Sequence, residues 1–164
     1  MSGINYLPIG IIHTSFNEQS KTPIQGVFSP ESIGEVEVYQ KYSEGLKDIS
    51  GFSYIILIYH FHLSRGYTLL KKPFLDNTEK GIFSIRHYDR PNPVGISVVR
   101  LNEVKDNRLI ISEVDIIDGA PLLDIKPYIP DFDSRDPEQN GWYADAPHLE
   151  DYHNRNGIQP PRQA

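Results

Sequence analysis

The sequence contains no cysteine, which removes disulfide scaffolds, thiolate zinc sites and cysteine nucleophiles together. A cytoplasmic setting follows most simply. Long apolar runs are missing too: no stretch approaches the roughly 18 residues of a membrane span, and the N-terminus lacks an export-signal pattern. The expectation is a protein with no membrane partner. Nor is there an excess of positive charge, since the net charge is -6, so the chain as a whole does not read as a nucleic-acid binder. No dinucleotide glycine fingerprint, P-loop, G-x-S-x-G elbow or H-E-x-x-H pair occurs, which leaves the common nucleotide and hydrolase templates without support.

What is present points to strands. Apolar runs rich in Ile, Val, Tyr and Phe recur at 6–12, 36–39, 52–61, 82–85, 95–101 and 109–117, each bounded by Gly, Pro, Asn or Asp. With 13 prolines and 12 glycines in 164 residues, the expectation is one turn-rich, all-β domain, a barrel or a sandwich. Lys105, Asp106 and Asn107 mark a hairpin turn between two of the runs. One short helix near Glu37 to Leu46, stopping at Gly45, competes with a strand at 36–39. From Pro130 onward prolines, acids and polar residues dominate, so this tail builds no core of its own, and Trp142 and Tyr143 are its expected anchors.

The charge is unevenly spread. Residues 60–100 carry seven Lys and Arg against three Asp and Glu, between acidic flanks. Within this basic island, His60 and His62 stand two apart on an expected strand and so share a face; with no third ligand nearby, packing or a pocket contact is the expectation rather than a metal. D-R-P-N-P-V-G at 89–95 is more constrained than a turn requires. Pro91 and Pro93 hold Arg90 and Asn92 extended, Arg86 and Arg90 offer planar donors suited to carboxylates, phosphates or base edges, and Gly95 admits a close neighbour. Asp118-Gly119 before Pro121 is a second polar knot, either a turn whose exposed amides can read a small ligand or a plain tight turn followed by an edge strand. K-T-P-I-Q-G at 21–26 reads only as a loop.

Taken in order, P-I-G-I-I-H-T-S, T-P-I-Q-G, F-S-Y-I-I-L-I-Y-H-F-H, R-H-Y-D-R-P-N-P-V-G-I-S-V-V-R-L and D-G-A-P-L-L-D-I-K-P-Y-I-P closely resemble the TsaA-like family over residues 6–133. Its characterised members are S-adenosylmethionine-dependent tRNA (adenine-N6) methyltransferases acting beside the anticodon. The resemblance implies a small closed or partly open β-barrel with long loops over residues 1–133, followed by a mostly irregular acidic tail at 134–164. It also implies a homodimer with the cofactor pocket near the subunit interface. The acceptor would be N6 of threonylcarbamoyladenosine at position 37 in the tRNA anticodon loop.

Carried over position by position, the family's cofactor contacts fall on Pro23, Ile24, Gln25, His62, Arg86, Ile96, Gly119, Ala120, Pro121 and Leu122. Arg86, Arg90 and Lys126 would bind substrate, and His62, Asn92 and Asp118 are the candidate catalytic groups. Methyl transfer from a sulfonium depends chiefly on alignment, with a base or polariser at the acceptor nitrogen. Two departures stand out: His62-Leu63 where relatives often have His-Gln, and Asp118-Gly119-Ala120-Pro121 where they often have D-G-T-P. The additional C-terminal domain of longer bacterial members is also not expected here. Two rival readings are a barrel that methylates a non-tRNA acceptor and a non-catalytic S-adenosylmethionine-binding module.

Overall fold

The computed structural model describes residues 3–146. Six strands close into an antiparallel barrel: β1 (Gly10–Thr14), β2 (Ile33–Val38), β3 (Tyr54–His60), β6 (Val94–Lys105), β7 (Arg108–Ser112) and β8 (Ala120–Pro127), in the spatial order β1-β2-β7-β6-β3-β8. A separate two-stranded ribbon pairs β4 (Leu70–Lys71) with β5 (Lys80–Gly81). The period-two alternation read in the sequence is the barrel's inside and outside. On β3, Ile55, Leu57 and Tyr59 point inward; on β6, Gly95, Ser97 and Val99 do. With Ile12, Val36, Leu109, Ile111 and Leu122 they fill the interior, and closure gives every barrel strand a partner on both sides.

Connection lengths determine where a site can form. Thr14, Ile33, His60, Val94, Ser112 and Ala120 all lie at one end of the barrel, as their pairings show. Three connections, 15–32, 61–93 and 113–119, therefore emerge together there. The β6–β7 turn at the opposite end is only Asp106-Asn107, with Asp106 in the left-handed region at φ 53° and Asn107 Nδ2 donating to Val38 O at 2.6 Å. The connection 39–53, with its 3-10 stretches Gln40–Leu46 and Ile49–Gly51, also lies at that end, so irregular backbone is most extensive at the first rim without being confined to it.

Several local expectations are corrected. Residues 82–85 form a 3-10 turn, Ile82–Ser84, rather than a strand; Ile82 and Ile85 are buried three residues apart while Phe83 is exposed, a spacing that a strand cannot produce. The helix near Glu37 to Leu46 is displaced by β2, whose ladders to β1 and β7 leave only a 3-10 stretch, Gln40–Leu46. The run 109–117 leaves the sheet at Ser112, because Glu113 takes φ 64°. His62 is not on the strand with His60: β3 ends at His60, and His62 N donates to His60 O in the following turn. The strand after the Asp118-Gly119 turn is no edge strand either; β8 is held between β1 and β3. In the tail, the 3-10 turn Gly141–Asp145 docks through Trp142, whose Nε1 donates to Ser84 O at 2.7 Å, and residues 147–164 lie outside the described ones.

Candidate active site

Two adjoining cavities open among the connections 15–32, 61–93 and 113–119. The larger, of about 900 Å³, is lined by Pro23, Ile24 and Gln25 from the first connection, by Ile85 to Tyr88 and Arg90 from the second, and by Val94, Gly95 and Ile96 of β6. The smaller, of about 590 Å³, is lined by His60, His62 and Arg65, by Asp89, and by Ile116, Ile117 and Ala120. The two meet at Gln19, Ser20, Tyr59, Phe61, Tyr88 and Asp115, which line both.

The wall around Arg86 is locked from several sides. Arg86 NH1 donates to Gln25 Oε1 at 2.6 Å, joining residues 61 positions apart. Arg90 NH1 donates to Ile85 O at 2.8 Å, and its guanidinium lies over the Phe83 ring. His87 stacks between Phe74 and Tyr88. Its Nδ1 accepts from Asp89 N, and Asp89 in turn accepts from Lys71 and Ser64. Burial, and then the Lys71 charge, hold His87 below the usual imidazole range, so the ring is neutral at neutral pH. Pro93 O accepts from Phe61 N at 2.8 Å, tying the rigid dipeptides to the end of β3. The cavity wall is therefore made by the flanks of the proline loop, while Pro91, Asn92 and Pro93 do not line it.

The residues singled out from sequence divide into those at the cavities and those away from them. Pro23, Ile24, Gln25, Arg86, Arg90 and Ile96 line the larger cavity; His62 and Ala120 line the smaller. Gly119, at φ 77°, turns beside His62, whose Nε2 stands 3.9 Å from where a Cβ would be. Burial, then neighbouring His60, pushes His62 below the usual imidazole range, against the opposing pull of Asp118. Asp118 Oδ1 accepts from Thr14 N at 3.0 Å and stands 3.8 Å from His13 Nδ1. Asn92 is exposed and lines neither cavity. Leu122 is wholly buried in the barrel interior. Pro121 pairs with Ile11. Lys126 pairs with Asp124 at 2.8 Å, well along β8 from the rim. Among the described residues no cluster of three or more His, Asp or Glu could hold a metal ion.

One group at the site was not anticipated. At the cavity junction, Ser97 Oγ donates to Asp115 Oδ1 at 2.6 Å and lies 3.1 Å from the Tyr59 hydroxyl. The Gly26 amide also donates to Asp115. A side chain at Gly26 would strike Glu113 O, so the close approach that brings this amide to Asp115 needs glycine. Burial raises the Asp115 carboxyl above the ordinary range, against the lowering effect of these donors and of Arg86. Burial and the Asp115 charge push Tyr59 far upward, so its phenol stays protonated. The available signal was Ser97, a polar residue at an inward position of an apolar strand, which calls for a buried partner.

These features define an all-β barrel with a loop-built ligand cavity at one open end, without a parallel nucleotide-binding sheet. The chain belongs to the tRNA-methyltransferase O N-terminal domain family, whose profile matches residues 11–134. It is 54% identical, over 85% of its length and 76% of the relative's, to a probable S-adenosyl-L-methionine-binding protein of Pyrococcus abyssi. It is 30% identical to a tRNA (adenine(37)-N6)-methyltransferase of Escherichia coli, over 89% of this chain and 66% of that one. A solved structure of TrmO from Pseudomonas aeruginosa superposes with a TM-score of 0.71 at 33% identity, covering 85% of this chain and 62% of that one.

Proposed function

We propose that the protein transfers a methyl group from S-adenosylmethionine to N6 of the adenosine at tRNA position 37, with the threonylcarbamoylated nucleoside as acceptor. The observation that carries this reading is spatial: Pro23 to Gln25, Arg86, Ile96 and His62, far apart in sequence, converge on two joined cavities at one barrel end. The lining suits the cofactor. Arg86 offers a guanidinium for a carboxylate, Gln25 and neutral His62 offer polar contacts, and Phe61 and Tyr88 offer faces for a purine. Bound there, the cofactor supplies an electrophilic methyl group.

The chain's own residues supply alignment and proton handling. The Arg86–Gln25 bond and the stacked Phe74, His87 and Tyr88 rings hold the walls in place before ligand arrives. Of the three catalytic candidates, His62 is the one both in a cavity and neutral at neutral pH, so it can accept a hydrogen bond or proton from N6. Asp118 is engaged by the Thr14 amide, and neither it nor Asn92 lines a cavity. Arg65 and Arg90 join Arg86 in the linings, within the basic stretch 60–100, where they meet the anticodon-loop phosphates and the threonyl carboxylate. Lys71 and Lys80 are already paired with Asp89 and Asp76. The acceptor is tested by comparing tRNA with and without the threonylcarbamoyl group. Methyl incorporation is expected only with it, and equal inactivity on both would remove the tRNA assignment in favour of another acceptor.

The homodimer is proposed on a feature of the barrel's outer wall. Val94, Ile96 and Val98 face outward on β6 and are 39%, 59% and 42% exposed. Ile96 and Val98 lie opposite Ile58 and Ile56 of β3, making an apolar strip that runs up to the larger cavity. A second copy seated there abuts the cavity through Ile96. Light scattering of Val98→Asp is expected to show a monomer where the parent shows a dimer; an unchanged dimer would place the interface elsewhere.

A further inference from the structure

The six residues where the two cavities meet have an unusual chemistry. Three are aromatic, Tyr59, Phe61 and Tyr88; one is the carboxylate Asp115; Gln19 and Ser20 are neutral. Lys21, Arg86 and Arg90 line only the larger cavity and Arg65 only the smaller, so among the described residues no cation lines the junction itself. Tyr59 and Phe61 meet edge to face at 5.3 Å. The Asp115 carboxylate is fixed by Ser97 Oγ and the Gly26 amide, which hold it without neutralising it. Aromatic faces beside a fixed carboxylate are the composition that selects a desolvated, weakly hydrated cation. An anion gains nothing from them.

We propose that the Asp115, Tyr59 and Phe61 junction reads the positive charge of the cofactor, favouring the sulfonium over the neutral thioether that remains after methyl transfer. The inference rests on the cofactor reading above and deepens it. In the transfer, the acceptor N–C bond forms as the C–S bond breaks, the electron pair stays on sulfur, and the nitrogen's proton leaves to His62 or water. The sulfur thereby loses its charge. Asp115 then faces an uncharged atom and its attraction is lost, so the junction favours product release and limits inhibition by S-adenosylhomocysteine. Asp115 is a specificity-determining residue in this account, and the methyl acceptor need not touch it.

Calorimetric titration of the full chain with S-adenosylmethionine and with S-adenosylhomocysteine, without RNA, tests the proposal. The parent is expected to prefer the sulfonium. Asp115→Asn, which keeps the shape and an acceptor for Ser97, is expected to weaken S-adenosylmethionine binding about tenfold or more, with S-adenosylhomocysteine changed less than about threefold. A second measurement follows pH. Because burial raises Asp115, acid neutralises it, so the preference of the parent for the sulfonium should grow as pH rises past the ordinary carboxylate range and then level off. Tyr59 stays protonated across that window. His62 and His87, held below the usual imidazole range, repel the sulfonium but not the thioether when protonated, so the pH profile is read against that of Asp115→Asn, in which only their contribution remains. An affinity ratio unchanged in Asp115→Asn, with the same pH profile as in the parent, overturns the proposal. Binding of neither molecule by the parent overturns the cofactor reading beneath it, an outcome distinguishable from the first.

Discussion

Gly95→Val is expected to abolish cofactor binding while leaving a folded but destabilised barrel. A Cβ at this position would stand 2.5 Å from Cε2 and Cζ of Tyr59 and 2.9 Å from Cζ of Phe61. Both rings line the two cavities, and the Tyr59 hydroxyl lies 3.1 Å from Ser97. The added side chain must push the rings into the cavity junction or force β6 away from β3. Overpacking of this kind costs about 1–3 kcal/mol. Thermal unfolding should therefore show a lower midpoint, and titration should show no S-adenosylmethionine binding. Unchanged midpoint and affinity would mean that the junction is not where ligand sits.

Arg86→Ala should have the opposite profile, a large functional effect with little structural cost. The side chain is exposed at the cavity rim, and its bond to Gln25 is between two loops rather than within the barrel. Stability should shift by no more than about 0.5 kcal/mol, as for other exposed positions. Loss of a charge-assisted hydrogen bond to ligand is worth roughly 1.5–3 kcal/mol, or about a 10- to 100-fold loss in affinity or turnover. Arg86→Lys should recover only part of it, because an ammonium cannot reproduce the planar fork that meets both Gln25 and a carboxylate. Parental methyl transfer by Arg86→Ala would remove Arg86 from the site.

The strands at Tyr54–His60 and Val94–Lys105 were legible because β-branched and aromatic residues alternate there with the period of a half-buried strand. The same criterion misjudged 82–85, where Ile82 and Ile85 are buried by a single 3-10 turn and only their spacing distinguishes it from a strand. It also ran 109–117 together, since nothing in the composition announces the positive φ at Glu113. Gly95 was legible as a point of close approach, and the neighbour is the Tyr59 ring. The meeting of Gln25 with Arg86 was not, because 61 residues separate them and only barrel closure brings their loops together. In residue chemistry alone T-P-I-Q is an ordinary loop; its place at a cavity came from the family resemblance. Asp115 was hidden for a different reason. It lies in the connection 113–119 between buried Val114 and Ile116, while Ser97, which donates to it, and Tyr59, which is bonded to Ser97, sit on β6 and β3, so no local pattern connects the three.

The most direct test of the account is methyl transfer itself. Purified protein should be incubated with labelled S-adenosylmethionine and tRNA that carries threonylcarbamoyladenosine but lacks the final methyl, followed by nucleoside mass analysis. The account predicts a new methylated threonylcarbamoyladenosine, formed by the parent and reduced about 10- to 100-fold in Arg86→Ala. Measurable cofactor binding with no methylated nucleoside would contradict it, leaving the barrel and its cavities in place and assigning them to another acceptor.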